Sequence, residues 1–168
     1  MRIGVLSDTH GNLEAAKLAL ARMGPIAVLL HAGDYYEDAA RLSRQGLLGG
    51  AAVKAVLGNC DYLVKGPAEE TFTLAGRRIL LTHGHRYDVK RGLERLRWRA
   101  REARADIVVF GHTHLSGFFW EEGVLFLNPG SPHLPRGGGR SCAVVEFSGR
   151  NVEPVIIDLD AKPVMDSK

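Results

Sequence analysis

The chain has 168 residues, 45% of them hydrophobic and 24% charged, a composition that supports one well-buried α/β core. Its twenty glycines show no G-X-Y period, and its apolar runs, such as residues 26–30 and 107–110, fall far short of the roughly 20 residues a membrane helix needs. Twenty-two basic against 19 acidic residues leave a net charge of +3, too mild to argue for nucleic acid or an anionic membrane as partner.

Met1 leads straight into the apolar segment Arg2–Leu6, with no secretion-signal pattern, so a cytoplasmic location is expected. Short apolar runs then alternate with helical patterns: strand Arg2–Leu6, helix Leu13–Met23, strand Ile26–Leu30, helix Glu37–Arg44 and strand Ala52–Leu57. Such a β-α-β-α-β series predicts a parallel sheet. Asn12 reads as the N-cap of the first helix and Gly24-Pro25 as its stop. Between Arg86 and Arg104, eight basic residues face three acidic ones, while Leu93, Leu96, Ala100 and Ala103 recur at helical spacing; the arginines read as the wet face of an amphipathic helix.

The second half is richer in strands, expected at Thr71–Leu74, Ile79–Thr82, Ile107–Phe110, Gly117–Trp120, Val124–Leu127, Ser141–Phe147 and Val152–Ile157, with turns at Gly76, Glu122-Gly123 and Ser148-Gly149. Two sheets packed face to face, helices outside, are implied. One domain is expected over residues 1–158, followed by a polar, frayed tail over 159–168. Cys60 and Cys142 are isolated, which suggests neither a disulfide nor a thiolate metal site.

The chemistry lies just beyond five strands. Asp8-Thr9-His10, Gly33-Asp34, Gly58-Asn59, Thr82-His83-Gly84-His85 and Gly111-His112-Thr113-His114 each follow an apolar run. Ligands of open α/β sheets collect at that edge. In an extended segment residues two apart point the same way, so Asp8 with His10, and His112 with His114, should each aim two ligands at one place. Asp8, His10, Asp34, Asn59, His83, His112 and His114 make seven oxygen or nitrogen donors. That number suits two divalent metals sharing a carboxylate, manganese first, with iron, zinc or nickel as alternatives. A pair of ions about 3.5–4 Å apart, with a bridging hydroxide, suits hydrolysis of a phosphoester.

Taken in order, these motifs resemble the calcineurin-like metallophosphoesterase superfamily, and the Asn128-Pro129-Gly130-Ser131 loop resembles its small single-domain bacterial and archaeal phosphodiesterase branch. The resemblance implies a four-layer α/β/β/α sandwich of two mixed sheets with flanking helices. It implies one metal on Asp8, His10, Asp34 and His114, and another on Asn59, His83, His112 and the shared Asp34, with Asn59 also binding phosphate oxygens. Many members carry histidine where this chain has Cys60, a position thought to protonate the leaving group. A neutral thiol is a poor acid, so Cys60 and His85 stand only as candidates for that step.

Asp61 could cap its loop or orient a ligand, and His31 reads as a hydrogen-bonded core residue. His85, His133 and Arg136 are candidates for the substrate, expected to be a small-molecule or nucleotide-like phosphoester and a diester before a monoester. Phe118, Phe119 and Trp120 suit core packing or a homo-oligomer interface. Two other functions compete. The fold can serve as a non-catalytic scaffold, as the phosphoesterase-like subunit of the retromer complex shows, and the arginine-rich helix could guide a nuclease-like centre to nucleic acid.

Overall fold

Both faces of the first strand are apolar, so it needs cover on both sides. The computed structural model, which describes residues 1–161, shows how that cover is supplied. In β1 (Arg2–Leu6) Ile3 and Val5 face a core between two sheets, whereas Leu6 turns to the other side, beneath helix α1 (Leu13–Met23). Asn12 caps α1 as its sequence suggests, its side-chain oxygen accepting the Ala15 amide at 2.9 Å.

The first sheet takes β1, β2 (Val28–His31) and β3 (Ala52–Ala55) in parallel and adds β9 (Ser141–Ser148) antiparallel to β1 and β10 (Asn151–Asp158) antiparallel to β9, in the order β10-β9-β1-β2-β3. The second runs β4-β5-β6-β8-β7, from β4 (Glu69–Leu74), β5 (Arg77–Thr82), β6 (Ile107–Val109), β7 (Ser116–Glu121) and β8 (Val124–Pro129), with β5, β6 and β8 parallel. Val28, Leu30, Ile79, Leu81, Ile107, Val109, Leu125 and Leu127 fill the space between the sheets. Leu6, Leu29 and Val144 pack outward against α1 and α2 (Glu37–Arg44). Leu80, Val108 and Phe126 do the same beneath α3 (Glu94–Ala103). The layers are therefore helix, sheet, sheet, helix, the four-layer sandwich of two mixed sheets that the motifs implied.

Several boundaries move for local reasons. The second strand begins at Val28, not Ile26, because its pairing with β1 starts at Ile3↔Val28, while Ile26 packs beneath α1. The third stops at Ala55, because the Leu57 amide leaves the ladder for the Pro67 carbonyl. The two-residue turns Ala75-Gly76 and Glu122-Gly123 have positive φ throughout, the hairpin geometry that matches strand twist.

On α3 the buried residues are Leu96, Ala100 and Ala103, as their spacing requires. Its arginines are less free than a solvated face implies. Arg97 reaches Glu121, Arg101 reaches Glu122 on the β7–β8 turn, and Arg99 binds Glu69, which also accepts the Tyr87 hydroxyl. Of the three consecutive aromatics, Phe119 stacks on Phe126 under α3, while Phe118 and Trp120 point the opposite way and stay about half exposed. Leu159 is buried and its amide donates to Arg140, so packing continues past Asp158 to Asp160, which pairs with Arg140. Residues 162–168 of the expected tail lie outside the described residues. No helix among the described residues is long and apolar enough to cross a membrane.

Candidate metal centre

The parallel strands β1, β2, β3, β5 and β6 send their C-terminal loops to one rim, and those loops carry all seven candidate donors. One donor atom each from Asp8, His10, Asp34 and His114 lies within 4.8 Å of the others. The Nε2 atoms of His10 and His114 are 3.4 Å apart, and His10 Nε2 is 3.6 Å from Asp34 Oδ2. On the opposite side of Asp34, His83 Nε2 stands 3.4 Å from Asp34 Oδ1 and 3.1 Å from Asn59 Oδ1, and the His112 ring lies 5.0 Å from that of His83. Asp34 thus turns one oxygen to each cluster.

The backbone does not reach this arrangement by an extended path. Asp8, His10, Asp34, His112 and His114 all have positive φ, between 49° and 68°. Each costs a non-glycine residue about 1–3 kcal/mol, and such strain persists where the surroundings over-determine it. The expected pairing by alternation is corrected accordingly. Asp8 and His10 do converge, but His112 and His114 separate, His114 joining Asp8 and His10 while His112 sits beside His83. Two glycines admit the close approach. A Cβ on Gly58 would lie 2.1 Å from Asp34 Oδ1, and one on Gly111 would lie 1.8 Å from Ser7 Oγ.

The donor set has the chemistry of a cation site. His83 Nδ1 donates to the Ala32 carbonyl and His114 Nδ1 to that of Leu134, so each Nε2 carries a lone pair into the rim. His83 Nε2 therefore faces Asn59, Asp34 and Asp8 oxygens that are themselves acceptors. Asp8 Oδ2 accepts the Ser7 hydroxyl and the His112 amide, but the buried Oδ1 has no donor among the described residues when His114 Nε2, 3.2 Å away, carries its lone pair. Converging acceptors and an orphaned carboxylate oxygen fit divalent ions.

Electrostatics sets the protonation states. Burial raises the Asp8 carboxyl, but His114, His83 and Ser7 act against it and hold it below the ordinary carboxylate value. The Asp8 carboxylate, with Oδ1 3.2 Å from His114 Nε2, raises His114. Burial, then the neighbouring His83, brings His112 down to about 4. Burial and the hydrogen bond to Asp34 push the Cys60 thiol up to about 11, where it donates to Asp34 Oδ2 at 3.2 Å.

Other candidates fall variously. His85 lies 5.2 Å, ring to ring, from His83, with a buried Nδ1 that has no partner among the described residues; burial lowers its pKa. His133 bonds to Asn12, and the Arg136 amide bonds to the His114 carbonyl while its side chain is exposed. Among the described residues, neither the His133 ring nor the Arg136 guanidinium makes a hydrogen bond to a candidate ligand.

Asp61 resolves as a loop clamp, accepting the amides of Gly58 and Tyr36. His31 is indeed a buried core residue, tied to Thr9, whose hydroxyl donates to Asp38. Asp38 also accepts the Gly11 amide, and Ser131 donates to the Asp8 carbonyl. Thr9, Asp38 and Ser131 hold the loop carrying Asp8 and His10. Nothing in the sequence marks Thr9 or Asp38 for that role, whereas the Asn-Pro-Gly-Ser loop was a signal for Ser131.

Comparison with known proteins bears on this geometry. The model of the calcineurin-like phosphoesterase superfamily domain matches residues 1–150. The chain is 36% identical over 137 residues to the probable metallophosphoesterase YsnB of Bacillus subtilis, covering 81% of this chain and 78% of that protein. It is 33% identical over 162 residues to a probable metallophosphoesterase of Methanothermobacter thermautotrophicus, covering 94% and 92%. A crystal structure of a predicted phosphoesterase from Streptococcus pneumoniae superposes with a TM-score of 0.77 at 30% identity, over 95% of this chain and 90% of that one.

Proposed function

The chain belongs to the calcineurin-like phosphoesterase superfamily, and from that premise we propose that it hydrolyses phosphoesters, diesters first, with two divalent metals, manganese before iron, zinc or nickel. The observation that carries this reading is the Asp34 carboxylate, which turns Oδ2 toward His10 and Oδ1 toward His83 and so can be shared by two ions. Asp8, His10 and His114 would complete one site, and Asn59, His83 and His112 the other. Bound there, the ions would supply a water-derived nucleophile at neutral pH and neutralise charge developing on the phosphoryl oxygens.

The chain's own residues prepare that chemistry. Ala32 and Leu134 fix the tautomers of His83 and His114, so in the neutral ring Nε2 is the atom offered to a cation. The imidazoles and Ser7 keep Asp8 ionised despite its burial. The Asn59 side chain stands at the rim, where it can also meet a phosphate oxygen. Cys60 stays protonated at neutral pH and is spent on Asp34, which leaves it a poor proton donor to a departing alkoxide. Diester preference follows the small single-domain branch that the motifs resemble. All seven donors keep types that bind metal and converge, which favours an enzyme over a scaffold, and pairing of Arg97, Arg99 and Arg101 with glutamates weighs against a nucleic-acid surface.

The test is metal analysis of the purified protein beside assays on p-nitrophenyl phosphate and bis(p-nitrophenyl) phosphate. About two equivalents of divalent metal, with faster diester hydrolysis, are expected. Asp34→Asn should lose metal and activity together; full activity in that variant would overturn the reading.

A further inference from the structure

A groove of about 330 Å³ opens between the N-terminal turn of α2 and the chain that follows β3. Tyr35, Arg41, Cys60, Tyr62, Leu63 and Val64 form most of its wall. Two of these also border the candidate centre. The Tyr35 ring lies 5.7 Å from the His10 ring, and Cys60 Sγ donates to Asp34 Oδ2. Tyr35 is held there with φ of +68°, a conformation a bulky residue keeps only under constraint.

The outer wall is unusual for its exposure. Tyr62 is 84% exposed and Leu63 wholly so. Large apolar side chains left in water beside a polar centre mark a contact surface. The carboxylates on the floor are largely engaged, Asp61 by the Gly58 and Tyr36 amides and Asp38 Oδ2 by Thr9 and Gly11, while Asp38 Oδ1 faces Arg41 at 3.7 Å. What remains open to a ligand is two phenol rings and an aliphatic edge, with the exposed Glu37 carboxylate and the Arg41 guanidinium at the border.

Resting on the phosphoesterase reading of the centre, we propose that this groove receives a planar aromatic ring carried by the phosphoester, a nucleobase or an aryl group, against Tyr35 and Tyr62. Its volume stands at the lower end of small-molecule pockets, about 300–1,000 Å³, which suits one ring with its sugar and not a polymer. Tyrosine faces reward a flat partner over a flexible alkyl chain, and stacking of a base on an aromatic side chain contributes about tenfold or more in affinity.

The test is calorimetric titration of the manganese-loaded protein with AMP, phenyl phosphate and methyl phosphate, for wild type, Tyr62→Ala and Tyr62→Phe. Exposure of Tyr62 keeps both variants folded. Wild type should bind AMP or phenyl phosphate about tenfold tighter than methyl phosphate, Tyr62→Phe should keep that ratio, and Tyr62→Ala should lose it while its affinity for methyl phosphate holds. A preference for both ring ligands assigns any aryl group, and a preference for AMP alone assigns a nucleoside. Equal affinity for all three, or a ratio unchanged in Tyr62→Ala, overturns the groove and leaves the centre standing. No binding of any of them to protein that holds manganese overturns the groove, and the centre falls with it where bis(p-nitrophenyl) phosphate is not hydrolysed either.

Discussion

Gly58→Ala tests how closely the two halves of the rim must approach. The new Cβ would sit 2.1 Å from Asp34 Oδ1, 2.2 Å from the Asp34 nitrogen and 2.8 Å from its Cα, where Cβ contacts essentially never fall below 3.0 Å. Relief requires a shift of about 0.9 Å, and most of it falls on backbone. The loop cannot yield freely, because the Gly58 amide is bound to Asp61 and the Cys60 amide to Asp34 Oδ1, each within 2.9 Å. Overpacking of this kind costs about 1–3 kcal/mol, equivalent to about 2–12 °C in Tm for a chain of this size. Moving the shared carboxylate by nearly 1 Å should lower metal affinity about 10–100-fold and kcat/KM about 100-fold. Gly117→Ala is the control, since Gly117 has negative φ and nothing within 4 Å of its Cβ position. Calorimetric manganese titration and thermal unfolding of both variants read the effect. Wild-type manganese affinity in Gly58→Ala would refute the placement of Asp34.

Cys60 and the histidines yield further expectations. With its thiol near 11, Cys60 should react with iodoacetamide at pH 8 at least tenfold more slowly than a free cysteine in metal-free protein, and rapid alkylation would contradict the hydrogen bond to Asp34. Without an effective proton donor, hydrolysis across aryl and alkyl diesters should depend steeply on leaving-group pKa; a flat series would show that an acid is present. Because His112 is lowered to about 4, with His10 and His85 also lowered, the unfolded chain binds more protons between pH 6.5 and 4. These three groups should therefore stabilise the chelated protein fully above pH 6.5 and lose that contribution as pH drops toward 4, against an opposite contribution from His114, whose raised pKa favours the folded chain below pH 6.5; the fall should be smaller in His112→Gln by urea unfolding. An equal fall in that variant would remove His112 as a contributor. Asp38→Asn leaves the Thr9 hydroxyl and Gly11 amide with a weaker acceptor and should cost about 1–3 kcal/mol by the same measurement, whereas an unchanged midpoint would place Asp38 outside the loop's support.

The fold was legible where pattern and packing agree. Ile3 and Val5 against Leu6 mark a strand buried on both faces, and Leu96, Ala100 and Ala103 mark the inner stripe of α3. The gathering of the seven candidate donors on one rim was legible because each follows an apolar run that ends at one sheet edge. Their manner of convergence was not, since left-handed φ at five of them is a property of the assembled loops and not of a two-residue spacing. Asp38 was equally hidden: nothing in the sequence at the start of that helix marks its burial under the β1 loop. The groove could not be foreseen either, because exposure of Tyr62 and Leu63 depends on how the chain after β3 turns away from the core.

The most direct test is anomalous scattering from a crystal of this protein grown with excess manganese, recorded on both sides of the manganese edge. Two peaks about 3.5–4 Å apart are expected, one on Asp8, His10 and His114, one on Asn59, His83 and His112, with Asp34 between them. A rim without anomalous density, or a single ion that leaves Asp34 unshared, would contradict the two-metal account.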